Sequence, residues 1–170
     1  MRWRFIIGML LLVTGLSLAQ VKVVVDDKKG VPMLIGSCTR EAFLDTSYAT
    51  WFNEGYDSYV TDSTASQKLP SLLSDVQIEI VMGTWCGDSK EHVPHFFKLI
   101  DEINFKENNV HIICVDRNKK GYANEVEELK IERVPTFILY KNGKEIGRII
   151  ETPEPTLESQ MVSILTDYRK

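Results

Sequence analysis

Three thiols occur in the sequence, at Cys38, Cys86 and Cys114, and the setting of Cys86 suits chemistry. A β-rich run, residues 78–82, ends in a Gly83-Thr84-Trp85 bend, and a helix is expected to begin at or just after Cys86. A sulfur at a helix N-terminus lies at the positive end of the macrodipole, beside N–H groups that have no intrahelical acceptor. That environment favours the thiolate, which is the nucleophilic form. Eight positions on, Pro94 has no N–H to offer the helix and should kink it. His92 and His95 sit three apart on the same helix, but with Cys86 they match no recognised three- or four-ligand pattern, so no metal is expected. The sequence has no phosphate-binding glycine loop, serine-protease-like constellation or paired-carboxylate motif, and no cofactor is expected.

The elements that must hold Cys86 follow from periodicity and punctuation. Residues 77–82 read as a central strand, 86–103 as the helix that follows, and 110–115, which contains Cys114, as a second buried strand. Cys114 is expected to be inert core packing. A helix over 123–129 is expected before the Val134-Pro135 loop. Strands 136–140 and 145–150 form a hairpin around Asn142-Gly143. A last helix spans about 156–168, with Thr156 as its cap. Upstream, 21–25 and 31–35 read as short strands, with Pro32 demoting the second to an edge. Thr39 is a plausible N-cap for a helical stretch, and the aromatic positions Tyr48, Trp51, Phe52, Tyr56 and Tyr59 build one face, expected to pack on the sheet. Residues 61–67 come nearest to a linker.

The motif Trp85-Cys86-Gly87-Asp88-Ser89, with Pro94 eight positions after the cysteine, resembles the active-site helix of the thioredoxin superfamily. A second match, Arg133-Val134-Pro135-Thr136, resembles the loop whose proline is cis and packs beside the active-site sulfur. The resemblance covers roughly residues 65–168. It implies an α/β fold with a central mixed β-sheet flanked by helices, here carrying an N-terminal helical extension over 20–64 ahead of a thioredoxin-like domain over 65–170. It also implies that Trp85, Gly87, Asp88, Val134 and Pro135 line a groove, with the Val134 backbone presented to an extended substrate segment. Where a small glycine is expected to open that groove, this chain has Glu151-Thr152. The acid buried on the strand six residues before the nucleophile corresponds to Ile80. The second cysteine of the family motif corresponds to Ser89.

Ser89 can hydrogen-bond the Cys86 thiolate but cannot attack a disulfide, so dithiol exchange within the motif is excluded. Three routes stay open. Cys86 works as a monothiol, its mixed disulfide released by an external thiol, with Cys86 and Ser89 as the catalytic pair. Alternatively, Cys38, in a Gly36-Ser37-Cys38-Thr39 setting expected at a helix start, serves as a distant resolving cysteine. In the third, the fold is a binding or folding-assistance module without turnover. Asp88, two residues from Cys86, works against a second negative charge nearby.

With 170 residues, 44% hydrophobic and 26% charged, the chain suffices for one globular domain with a proper core. A net charge of −4 without a basic run argues against a nucleic-acid partner or a polyanionic surface. Arg2 and Arg4, the apolar run 5–18 and the small residues of Ser17-Leu18-Ala19 have the pattern of a signal peptide over 1–19, leaving no stable membrane anchor once cleaved. The mature chain is thus expected outside the cytoplasm, periplasmic or extracellular, where disulfides persist, with protein or small-molecule thiols and disulfides as partners.

Overall fold

The structure, a computed structural model, describes residues 21–168, so the signal-peptide segment lies outside the described residues. A six-stranded sheet in the order β1-β2-β4-β3-β5-β6 forms the centre. Its strands are β1 (Val21–Val25), β2 (Pro32–Cys38), β3 (Val76–Met82), β4 (Val110–Cys114), β5 (Thr136–Lys141) and β6 (Lys144–Ile150). β3 and β4 are parallel, joined by the long helix α4 (Gly87–Glu102), and all other neighbours are antiparallel. The sheet is therefore mixed and carries helices, as the resemblance implies.

Alternation along the strands sends side chains to two unequal cores. Ile78, Ile80 and Met82 of β3, with Ile112 and Cys114 of β4, face the larger one, where Phe96, Phe97 and Ile100 of α4 meet Phe43, Phe52 and Phe137. Val81, Ile113 and Val115 face a smaller cluster with Val126 and Val134, against which Trp85 and Cys86 pack. Ile80 has no exposed surface, which suits an isoleucine standing where the family buries an acid.

The hairpin turn of β5 and β6 places Asn142 and Gly143 at φ 52° and 72°, the left-handed conformation that a two-residue Asn-Gly turn requires. The last helix, α5 (Leu157–Asp167), is capped by Thr156, whose hydroxyl accepts from the Ser159 N–H at 3.2 Å. The aromatic face of α1 (Thr46–Ser58) packs inward: Tyr48 and Phe52 are buried, and Phe52 lies 5.8 Å from Phe97. Gly55 is what lets α1 approach α4 at the proline. A Cβ there would stand 3.1 Å from the Pro94 ring and 3.5 Å from the Lys90 carbonyl, the group Pro94 leaves without its helical donor.

Several expectations about local structure are corrected. Residues 123–129 form turns rather than a helix. The Glu125 carboxylate takes the Tyr122 and Ala123 N–H groups, and the backbone bonds from Glu127 to Asn124 and from Leu129 to Val126 are three-residue turns. The helical stretch after Thr39 is split into a 3₁₀ turn (Arg40–Leu44) and α1. The cap of α1 is Asp45, whose side chain accepts from Ser47 N–H, while the Thr39 side chain makes no capping bond. The second upstream strand runs on to Cys38, so that residue ends a strand and does not begin a helix. That strand also lies between β1 and β4 and is not the edge expected from Pro32, β1 being the edge. Within 61–67, Asp62 caps a one-turn helix, α2 (Ser63–Ser66), which is followed by α3 (Leu69–Leu72).

The β1–β2 hairpin extends the sheet itself. β2 pairs with β4 through Gly36, Ser37 and Cys38, opposite Cys114, Ile113 and Ile112.

Candidate functional site

Cys86 is the N-cap of α4, with extended backbone (φ −89°, ψ 134°), and its amide is tied to the Gly83 carbonyl at 2.9 Å. The bend holds the sulfur half-buried at the helix mouth. The thiol donates to the Val134 carbonyl at 3.1 Å, and the Val134-Pro135 peptide is cis. Two segments about fifty residues apart in sequence are thereby brought to one sulfur. Gly87 is exposed, and a Cβ there would meet nothing within 4 Å, so the helix end beside Cys86 is open. Asp88 follows in the first turn, half-buried.

Trp85 forms one wall. Its indole N–H donates to the Val115 carbonyl at 2.8 Å, and the ring lies so close over Gly83 that a Cβ there would come within 2.5 Å of it. Ser89 is wholly buried, and its hydroxyl oxygen accepts from the Gly83 N–H at 3.3 Å. The bond that Ser89 could make to the sulfur is therefore corrected: among the described residues the hydrogen-bond partner of the Cys86 sulfur is the Val134 carbonyl, while Ser89 braces the bend from beneath.

Cys38 is also placed differently from the resolving role considered for it. Its sulfur sits 3.5 Å from that of Cys114 within the larger core, whereas Cys86 packs with the cluster on the other face of the sheet. Cys38 thus belongs to one buried cluster, with Cys114 as its sulfur neighbour, and Cys86 packs on another. The ring of His95 stacks on Tyr59 at 4.1 Å, and His92 meets His95 edge-on at 5.8 Å. Among the described residues no group of three or more His, Cys, Asp or Glu is placed to hold a metal ion.

Further residues shape the site. Arg117, just past β4, lies over the Trp85 ring at 4.9 Å, and both oxygens of Asp26 receive its guanidinium, at 2.6 and 2.8 Å. Those bonds, opposed by burial and helped by the Lys28 amide, lower the Asp26 carboxyl from 3.8 to about 2. The same bonds raise Arg117, and Cys86 is near enough to add to that shift. Thr84, in the bend, accepts from the Leu34 N–H at 3.1 Å. The β1–β2 hairpin thus holds both the wall and the bend. The one sequence cue was position, since a loop at the carboxyl end of a parallel strand is where open α/β sheets bind ligands. Past β6, Glu151 has φ 57°, donates its N–H to the Pro135 carbonyl at 2.8 Å and pairs with Arg133 at 2.6 Å. A charged residue thus occupies a left-handed position that suits glycine, alongside the proline loop.

A family model described as Thioredoxin matches residues 60–163, more than half of the chain. The mitochondrial thioredoxin O of Oryza sativa subsp. japonica is 25% identical over 127 residues, covering 71% of this chain and 71% of that protein. Thioredoxin H9 of Arabidopsis thaliana is 29% identical over 82 residues, 48% of this chain and 54% of that protein, so the match spans about half its length. The solved structure of Fasciola hepatica thioredoxin superposes with a TM-score of 0.39 at 21% identity, covering 60% of this chain and 92% of that one.

Proposed function

The chain belongs to the thioredoxin family, and from that premise we propose that it is an exported thiol–disulfide oxidoreductase working through the single nucleophile Cys86. The observation that carries this reading is the placement of that sulfur. It is half-exposed at the N-terminus of α4, faces the Val134 carbonyl beside cis Pro135, and has a serine where a resolving thiol would stand. The Cys86 thiolate attacks one sulfur of a substrate disulfide, forming a mixed disulfide and expelling the other sulfur as a thiolate. An external thiol, once deprotonated, attacks the substrate sulfur of that mixed disulfide, forms a disulfide with it and expels Cys86 as its thiolate. Neither step draws on a second protein thiol, which suits an isomerase or a reductase of mixed disulfides. An extended substrate segment docks along the Val134-Pro135 edge, and Trp85 supplies an apolar wall. The residue 1–19 pattern supports export to a periplasmic or extracellular setting in which such disulfides occur.

The test is turnover of insulin disulfides and of glutathione mixed disulfides by the wild type and by Cys86→Ser. The proposal requires turnover to be lost in the variant. Equal rates in both would instead make the chain a binding module.

A further inference from the structure

Cys38 and Cys114 end neighbouring antiparallel strands, with Cys38 opposite Ile112 and Cys114 opposite Gly36. They are diagonal neighbours whose side chains face the same core, close enough across the ladder to meet. Their sulfurs are 3.5 Å apart, Cys38 is 5% exposed and Cys114 has no exposed surface. Gly36, directly across from Cys114, has no side chain to intervene. A disulfide needs its sulfurs at ~2.05 Å and its Cα atoms within ~7 Å; diagonal positions lie at ~7–8 Å, so closure brings the sulfurs ~1.5 Å closer and draws the two strand ends slightly together. We propose that Cys38 and Cys114 form a disulfide that staples the β1–β2 hairpin to the central sheet.

The consequence lies at the hairpin's other contacts. β2 joins β4 through three register pairs, while the hairpin supplies Asp26 to Arg117 and the Leu34 N–H to Thr84. Stapling the hairpin therefore holds the wall and the bend around Cys86. It also removes two of the three thiols, leaving Cys86 without an internal competitor. The inference does not depend on Cys86 being a nucleophile.

The oxidant is a low-molecular-weight disulfide of the glutathione type. One protein thiolate attacks it, forms a mixed disulfide and expels one small thiolate. The second protein thiolate then attacks the protein sulfur of that adduct and expels the other. The two cysteines give up two electrons and two protons, and the oxidant leaves as two thiols. In the folded chain the contact with Cys38, and then burial, hold Cys114 protonated. The first exchange accordingly belongs to the folding chain, and the second to the docking of β2, which brings Cys38 against Cys114.

The experiment refolds the full chain in a buffer of reduced and oxidised glutathione, alkylates free thiols and maps the peptides. The expected product is one Cys38–Cys114 cross-link with Cys86 outside it, melting about 5–15 °C above the reduced form for a closed loop of this length. The same cross-link is expected in Cys86→Ser, which separates this inference from the one about turnover. Wild-type mapping needs no variant that could misfold. Three alkylated cysteines after refolding, or a cross-link that includes Cys86, would overturn the inference.

Discussion

Gly83 and Gly87 lie four residues apart on either side of the nucleophile, and alanine should have opposite consequences at the two. At Gly83 the new methyl would fall 2.5 Å from Cε2, 2.6 Å from Nε1 and 2.9 Å from Cζ2 of the Trp85 indole. Carbon contacts settle at ~3.5–4.0 Å, so a rigid ring has to retreat by roughly 1 Å. That retreat stretches its 2.8 Å bond to the Val115 carbonyl past hydrogen-bonding range. Overpacking costs ~1–3 kcal/mol and the lost bond ~1 kcal/mol more, so Gly83→Ala should be destabilised by about 2–4 kcal/mol. In a chain of this size that lowers Tm by about 5–12 °C. At Gly87 a methyl meets nothing within 4 Å, and alanine in the first turn of α4 should change stability by less than ~1 kcal/mol, towards gain. Urea unfolding of both variants beside the wild type measures the contrast. Coincident midpoints for the two variants would refute the packing argument for the Trp85 wall.

Phe97→Ala empties a fully buried position beside Phe52 and Phe96, and calorimetry or urea unfolding should show a loss of about 3–5 kcal/mol. The folded Asp26 carboxyl titrates at about 2 against 3.8 when free, so the unfolded chain binds the proton first. Its contribution is complete above about pH 4 and disappears as pH falls through about 2, and Asp26→Asn should flatten that limb of the unfolding curve. Ser89→Cys places a thiol three residues after Cys86, and captured mixed disulfides should then fall at least about tenfold, scored by non-reducing gels. An undiminished yield of captured species would show that position 89 cannot reach the adduct.

The strands, α4, the β5–β6 turn and α5 were legible because each rests on local signals: alternation, an N-cap, Asn142-Gly143, Thr156. The pairing of Cys86 with Val134-Pro135 was legible through the family resemblance alone, since nothing local links them. The loop after β4 was misread because Val126 and Leu129 imitate a helical stripe, while the Glu125 carboxylate competes for the backbone donors that a helix needs. Cys38 was misplaced because the strand runs three residues past its expected end at Ile35, and register across β2 and β4 is invisible from either strand alone. Arg117 and Asp26 went unseen for a similar reason: their bond spans 91 positions.

The most direct measurement of the central claim follows one adduct. Cys86 is loaded with glutathione, excess reagent is removed, and intact mass is recorded over hours with no thiol present. The account predicts a persistent adduct at Cys86 that disappears only when external thiol is added. Spontaneous loss of the adduct, with an internal disulfide containing Cys86 in its place, would contradict it.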